Sequence, residues 1–250
     1  MLYSKQEILD MMRDPRFPLS QKYDPDWILA NAMGSHCLWL QEILAQDMQL
    51  KPGMRILDMG CGKGIGSIFL AREFGVQVWA ADLWIDPTDN RQRICEMDAA
   101  EQVYPIRADA NALPFADDFF DAMVSINSLF FYVTGGAFLR EKILRCIKPG
   151  GEIGVVVPGF IHAYTDGIPE ELKPHWHDDL NHWHTLDWWV NCFESSGEAE
   201  IATADTLPGD EGNRIFMKSM RIYNTHEEPL HVLAGDNFTF IRIIARRKTQ

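Results

Sequence analysis

Short apolar runs alternate with amphipathic segments between residues 51 and 158, and this alternation predicts βαβ units around a parallel sheet. Five apolar runs have the length of buried strands: 54–58, 77–82, 104–108, 120–127 and 152–157. Three intervening segments have helical character: 67–74, 88–100 and 138–147. Gly75 follows the first of these helices and Pro149 follows the last, as expected at helix ends. We therefore expect an α/β fold with a mostly parallel sheet and helices on both faces.

The residues outside this segment predict a chain of four parts. Residues 1–50 are mostly helical in pattern and form an N-terminal cover, and residues 51–158 form the α/β core. Residues 159–197 are irregular, end in a helix at 185–196 and form a lid or substrate insert. Residues 198–250 complete the sheet, with predicted strands at 199–206 and 238–246 and a helix at 214–224 between them.

A glycine-rich segment, ILDMGCGKG at residues 56–64, follows the first strand and precedes the first helix of the core. Open α/β sheets bind nucleotide-like ligands at this place. A dinucleotide requires G-x-G-x-x-G, but Ile65 or Ser67 occupies the third glycine position, depending on the frame. Asp58 at the strand end would repel a pyrophosphate and attract a cation. The pattern therefore disfavours an NAD-dependent reductase and favours a cationic ligand such as S-adenosylmethionine.

The segment ILDMGCGKG resembles motif I of class I S-adenosylmethionine-dependent methyltransferases, and three further segments resemble later motifs in the same order. Residues 108–110 (ADA) with 113–115 (LPF) form one, residues 120–125 (FDAMVS) leading to Asn127 resemble motif IV, and residues 144–151 resemble the following helix-to-strand turn. The resemblance covers residues 51–158 and is nearest to methylases of ubiquinone and menaquinone biosynthesis. It implies a Rossmann-like sheet of seven strands in the order 3-2-1-4-5-7-6, with the last strand antiparallel.

The resemblance also implies the cofactor, S-adenosylmethionine, and the residues that bind it. Asp82 would accept hydrogen bonds from the ribose hydroxyls, Leu83 would flank the adenine, and Asp109 would contact the adenine amino group. Asn127 would face the reacting methyl group. The full predicted set is Asp58, Gly60, Cys61, Gly62, Asp82, Leu83, Asp109, Ala110 and Asn127.

Charge and cysteine content narrow the class of acceptor and the expected compartment. The net charge of −13 and pI of about 5.0 disfavour a nucleic-acid substrate, because a negative surface repels phosphate. The five cysteines are scattered without a C-x-x-C pair, which is typical of reduced thiols in the cytoplasm. No apolar run approaches the roughly 20 residues of a membrane span. We expect a cytoplasmic protein with a small-molecule substrate, and the oligomeric state stays open.

The most unusual stretch is HWHDDLNHWH at residues 175–184, followed by Trp188 and Trp189. It has four interpretations: a packed lid, a substrate pocket in which His182 or His184 acts as base or orienting group, a metal site, or an aromatic cage for an amine. We assign no metal, because H-x-H suits a strand better than a loop. His184 is preferred as the catalytic residue because it precedes the helix predicted from residue 185.

Methyl transfer from a sulfonium is a direct displacement, so the protein mainly aligns the reactants and excludes water. A base is needed only where the nucleophile arrives protonated. The sequence-based hypothesis is therefore a methyltransferase that acts on a small molecule. The alternative from another functional class is a non-catalytic sensor or partner subunit that binds S-adenosylmethionine.

Overall fold

A central sheet organises the chain in a computed structural model, which describes residues 3–165, 167–207, 211–223 and 237–249. The strands within these ranges are β1 Arg55–Met59, β2 Gln77–Asp82, β3 Val103–Arg107, β4 Phe120–Ile126, β5 Ile147–Phe160, β6 His184–Thr185, β7 Ala199–Asp205 and β8 Phe238–Arg247. Their order is β3-β2-β1-β4-β5-β8-β7, and the two-residue β6 pairs with β5 off this path. Strands β1 to β5 are parallel, whereas β8 is antiparallel to β5 and β7. The predicted fold class is confirmed, with β6 as an addition to the seven expected strands.

Helices cover both faces of this sheet. Those in the described ranges are α1 Lys5–Met12, α2 Pro25–Asn31, α3 Cys37–Asp47, α4 Ile65–Phe74, α5 Pro87–Glu96, α6 Gly136–Phe138, α7 Leu186–Ser195 and α8 Glu211–Tyr223. Helix α8 corresponds to the helix predicted at 214–224, and residue 224 lies outside the described residues. Helix α6 continues as a π-turn, Leu139–Ile143, and a 3-10 turn, Leu144–Cys146. None of the described helices combines the length and apolar character needed to cross a bilayer.

Strand β5 illustrates why the core strands are apolar at successive positions and do not alternate with polar residues. Val155 and Val157 pack into the cluster on one side of the sheet, together with Trp189 of α7. Val156 packs into the cluster on the other side, together with Leu44 of α3. All these side chains are fully buried. Because both faces are covered, every position of the strand favours an apolar residue.

Two predicted boundaries move for local reasons. The helix expected at 88–100 begins at Pro87, because the Asp86 carboxylate accepts a hydrogen bond from Thr88 N at 2.8 Å and caps it. It ends at Glu96, and Asp98 has a left-handed φ of 53° that a helix cannot continue. The strand expected at 152–157 extends to Phe160, because β8 pairs with it from Glu152 to Phe160.

A buried carboxylate joins two parts of the N-terminal cover to each other. Glu42 of α3 is inaccessible to solvent and accepts hydrogen bonds from Leu19 N at 3.0 Å and Ser20 N at 2.8 Å. The Ser20 hydroxyl donates a third bond at 2.6 Å. The segment between α1 and α2 is therefore held to α3 by one side chain whose charge is matched by three donors.

Replacing Glu42 by Ala should lower the free energy of unfolding by about 2–4 kcal/mol, because the two backbone donors would stay buried without an acceptor. Urea unfolding followed by circular dichroism measures the change. Glu42→Gln should lose less, since one amide oxygen still accepts. An unfolding midpoint of Glu42→Ala equal to that of the wild type would contradict this anchoring role.

Candidate active site

The glycine loop, residues 60–64, follows β1 and leads directly into α4. Gly60 and Gly62 both have left-handed backbones, with φ of 71° and 54°. A Cβ at Gly60 would lie 2.2 Å from Ser128 Oγ, and a Cβ at Gly62 would lie 3.1 Å from Met33 Sδ. Glycine is therefore required at Gly60 by both conformation and space. The loop can lie against Ser128 only in this form.

Asp82, at the end of β2, connects the glycine loop to the loop that follows its own strand. Its Oδ2 accepts a hydrogen bond from Gly62 N at 2.8 Å. Its Oδ1 accepts from Trp84 N at 2.8 Å and from Ile85 N at 3.0 Å. The carboxylate is buried, with 9% of its surface exposed. The sequence predicted a ligand-binding role for Asp82, and the structure adds a bracing role between two loops.

Two cavities open at the carboxyl ends of the strands. The small cavity, about 240 Å³, lies beside the loop after β2, and the large cavity, about 310 Å³, extends under the N-terminal cover. They share the lining residues Gly60, Asp82, Trp84, Ser128 and Phe131. The two cavities are therefore neighbours. The glycine loop lies between them, together with the rings of Trp84 and Phe131, whose centroids are 5.6 Å apart.

The structure brings together all the residues predicted to bind the cofactor. Six of them line the large cavity: Asp58, Gly60, Cys61, Gly62, Asp82 and Asn127. The small cavity is lined by Leu83, Asp109 and Ala110, besides Gly60 and Asp82. Asp109 also caps the following turn, because its Oδ1 accepts from Asn111 N at 2.8 Å. Direct contact of these side chains with a cofactor stays a prediction.

Asp58 contributes a buried carboxylate to the large cavity. Its carboxylate has 3% of its surface exposed, and Ser67 Oγ donates to its Oδ2 at 2.5 Å. Burial raises the pKa of the Asp58 carboxyl to about 7, against the lowering effect of the Ser67 hydrogen bond. Near neutral pH this carboxyl is therefore close to half protonated. A cation that entered the cavity would favour the ionised form.

A network of hydroxyl groups supports the glycine loop from below. Ser128 Oγ donates to Met59 O at 2.7 Å and lies 2.8 Å from Ser125 Oγ and 3.1 Å from the Tyr132 hydroxyl. Burial raises the pKa of Tyr132 well above its usual value, so the hydroxyl stays neutral. This supporting role of Ser125, Ser128 and Tyr132 was not predicted from the sequence. Their signal was the polar pair Ser125 and Ser128 around the end of an otherwise apolar strand.

The histidines predicted to be catalytic lie outside the lining of both cavities. His184, in β6, stacks on Trp188 with ring centroids 3.6 Å apart, and burial lowers the pKa of its imidazole. The His182 ring lies 5.9 Å from that of Phe131, a residue that lines both cavities. His177 and Asp179, from the same segment, do line the large cavity. The catalytic role of His182 and His184 stays a prediction.

Within the described parts of the chain, no group of three His, Cys, Asp or Glu side chains is arranged to hold a metal ion.

The large cavity also has walls from outside the core. The N-terminal cover contributes Met33, Cys37 and Gln41, and Phe216 comes from α8. None of these was predicted from the sequence to line the site.

Residues 56–151 match the family model for a methyltransferase domain. This part of the chain, residues 56–151, is a methyltransferase domain. The family predicted from the glycine loop is therefore confirmed for this part of the chain. The domain includes the strands β1 to β4, the glycine loop and the start of β5.

Curated relatives and solved structures extend this comparison. A fatty-acid O-methyltransferase of Mycolicibacterium smegmatis is 34% identical over 125 residues, which cover 50% of this chain and 41% of that protein. A demethylmenaquinone methyltransferase of Corynebacterium urealyticum is 32% identical over 147 residues, covering 56% and 60%. The chain thus spans about half the length of the curated relatives it matches.

Geranyl diphosphate C-methyltransferase from Streptomyces coelicolor, solved with Mg²⁺, geranyl-S-thiolodiphosphate and S-adenosylhomocysteine, has a similar fold. Its TM-score is 0.69 at 17% identity, covering 85% of this chain and 77% of that one. At this identity the similarity concerns the fold.

Replacing Asp82 by Ala should weaken binding of S-adenosylhomocysteine by about 10- to 100-fold. The variant loses the predicted acceptor for the ribose and also the brace on Gly62 N, and hydrogen bonds to charged groups contribute about 1.5–3 kcal/mol. Isothermal titration calorimetry measures the effect. Asp89→Ala, which removes an exposed carboxylate from α5, should stay within twofold of the wild type. Equal affinities of the wild type and Asp82→Ala would exclude this role.

Proposed function

We propose that this chain is an S-adenosylmethionine-dependent methyltransferase that acts on a small molecule. The observation that carries the proposal is the convergence of the predicted cofactor residues on two neighbouring cavities inside a methyltransferase domain. The glycine loop meets Asp58 and Asp82 there because the parallel strands β1 and β2 bring their carboxyl ends to one edge, which is where this fold binds nucleotide-like ligands. The activity of the whole chain is inferred from this site.

The two cavities suit the two ends of the cofactor. In our assignment the adenine lies in the small cavity between Leu83 and Ala110, with Asp109 at its edge, and Asp82 accepts hydrogen bonds from the ribose hydroxyls. The methionine end crosses the glycine loop and reaches the large cavity. There Asp58, which is buried and lines this cavity, faces the positively charged groups of the cofactor.

S-adenosylmethionine, when bound, supplies a methyl group on a sulfonium that leaves as a neutral thioether. The residues of this chain orient an acceptor and exclude water, which is the main requirement of such a displacement. The large cavity has an apolar wall made of Phe130, Phe131, Pro158, Trp183 and Phe216. Asn127, at the end of β4, carries a buried amide on this wall whose Oδ1 and Nδ2 have no protein partner. This combination supports a largely apolar acceptor that is oriented by one polar group.

A protonated nucleophile would need a base at the cavity. His177 and Asp179 are exposed groups on its rim, and both reach the lining. We therefore favour His177 as the group that accepts a proton over His182 and His184, which lie outside the cavity lining. An acceptor that is already nucleophilic would need none of them.

Two measurements test the function. Calorimetry should detect binding of S-adenosylhomocysteine, and a protein that binds none would contradict the proposal. Incubation with methyl-labelled S-adenosylmethionine and a metabolite extract should then transfer label to a small apolar product. Tight binding with unreactive label across such extracts would favour the alternative, a non-catalytic sensor or partner subunit.

The affinity for S-adenosylhomocysteine should rise with pH between pH 6 and pH 8. The Asp58 carboxyl has a raised pKa of about 7, so it is mostly neutral at pH 6 and attracts the ligand ammonium only once ionised. Binding at pH 6 should therefore be about tenfold weaker than at pH 8 and should release a proton. Calorimetry in buffers of different ionisation enthalpy measures both effects. Asp58→Asn should abolish the pH dependence, and a wild-type affinity that is constant over this range would refute the assignment.

Alanine variants of three histidines discriminate between the possible bases. If His177 accepts the proton, His177→Ala should lower kcat by about 100-fold or more and leave the affinity for S-adenosylhomocysteine unchanged. His182→Ala and His184→Ala should then retain most of the turnover. The reverse pattern, loss of turnover in His184→Ala with an active His177→Ala, would support the assignment made from the sequence. Steady-state kinetics with the acceptor found above provide the measurement.

A further inference from the structure

Gln41 of α3 is a buried amide without a protein partner. Its side chain is inaccessible to solvent, and neither its Oε1 nor its Nε2 makes a hydrogen bond within the protein. Buried amides are nearly always paired, because leaving water without a new partner lowers stability. Gln41 lines the large cavity, so the missing partner can be supplied by a ligand there.

The position of Gln41 is fixed by its approach to the first turn of α4. A Cβ built at Gly66 would lie 3.3 Å from Gln41 Oε1 and 3.7 Å from Asp58 Oδ2. The amide and the carboxylate therefore converge on the same point, although they come from different parts of the chain. Gly66 has no side chain to fill that point, and it too lines the large cavity.

The first turn of α4 favours negative charge at this point. The first N–H groups of a helix have no partner within it, and the helix dipole is positive at this end. Gly64, at the N-cap, has no side chain that could accept from them. A carboxylate from a ligand would therefore be stabilised near Gly66, with Gln41 Nε2 as an additional donor.

The ammonium of Lys63 is already engaged with a backbone carbonyl and is not assigned to the ligand carboxylate. Lys63 also lines the large cavity, but its Nζ donates to Ala30 O at 3.1 Å. Asp58 would attract a positive group and repel a negative one. A ligand that carries an ammonium next to a carboxylate matches both neighbours, since each charge then has its own partner. An α-amino acid group has this arrangement.

We propose that Gln41 binds the α-carboxylate of the cofactor's methionine end, while Asp58 faces its ammonium. This inference rests on the proposed function, because it concerns the tail of the cofactor assigned to the large cavity. The N-terminal cover then takes part in cofactor recognition, and it selects ligands that carry a complete α-amino acid end. Gln41 is a binding residue in this scheme and takes no part in the methyl transfer.

A comparison of three ligands tests the inference. S-adenosylhomocysteine has the amino acid end, 5′-deoxy-5′-(3-aminopropylthio)adenosine keeps the ammonium without the carboxylate, and 5′-methylthioadenosine lacks both. Gln41→Met removes the amide and nearly keeps its length. It should weaken S-adenosylhomocysteine about tenfold or more and leave the other two ligands within twofold of the wild type. Calorimetry provides all the dissociation constants.

Gln46→Met is the matched control, because Gln46 is exposed on the same helix and the substitution is identical. It should change none of the three affinities. The melting temperature of ligand-free Gln41→Met should equal or exceed that of the wild type, since an unpartnered buried amide is removed. Should Gln41→Met fold poorly, Gln41→Glu keeps the length and sets a negative charge against the carboxylate. That variant should weaken S-adenosylhomocysteine more than it weakens 5′-methylthioadenosine.

Distinct outcomes overturn distinct claims. Equal weakening of all three ligands by Gln41→Met would assign Gln41 a structural role and overturn the inference. Equal weakening of S-adenosylhomocysteine and the aminopropyl ligand, with 5′-methylthioadenosine unaffected, would mean that the amide contacts the ammonium, which also overturns it. Unchanged affinity for S-adenosylhomocysteine would do the same while leaving the proposed function intact. A wild-type protein that binds none of the ligands would instead refute the proposed function itself.

Discussion

The carboxylate of Asp82 joins the two loops on which the whole site depends. It accepts hydrogen bonds from Gly62 N on one side and from Trp84 N and Ile85 N on the other. The parallel pairing of β1 with β2 makes this contact possible, because it brings the carboxyl ends of both strands to the same edge. Both cavities border this link, so their shapes are set by one buried charge with three backbone donors.

The sequence was sufficient to predict the core strands and the glycine loop because each depends on local physics. A strand covered on both faces is apolar throughout, as Val155 to Val157 are, and a loop that crosses its own sheet edge needs glycine at Gly60. The nine residues of the cofactor prediction also meet for this reason, since most of them follow a strand. Their contacts with a cofactor are still a prediction, to be tested by ligand binding.

The residues that reach the site from outside the core could not be predicted from the sequence. Gln41 belongs to a helix whose pattern fixes only that one side is buried, and its approach to Gly66 follows from how α3 packs across α4. The histidine-rich segment shows a similar limit. It folds into 3-10 turns, Lys173–His175 and Asp178–His182, so the side chains that reach the cavity depend on turn geometry. Neither helical nor strand periodicity distinguishes His177 from His184 in such a segment.

The pairing of β5 with β8 has a consequence for what constitutes a folding unit. The methyltransferase match ends at residue 151, yet β5 continues to Phe160 and is paired along nine positions with a strand that begins at Phe238. A fragment cut to the matched residues would leave the edge of β4 without most of its partner, and one cut at residue 160 would leave β5 open along its length. Exposed apolar edges of this kind pair with other chains and lead to aggregation. The span that sequence comparison recognises is therefore shorter than the span that can exist as a separate molecule.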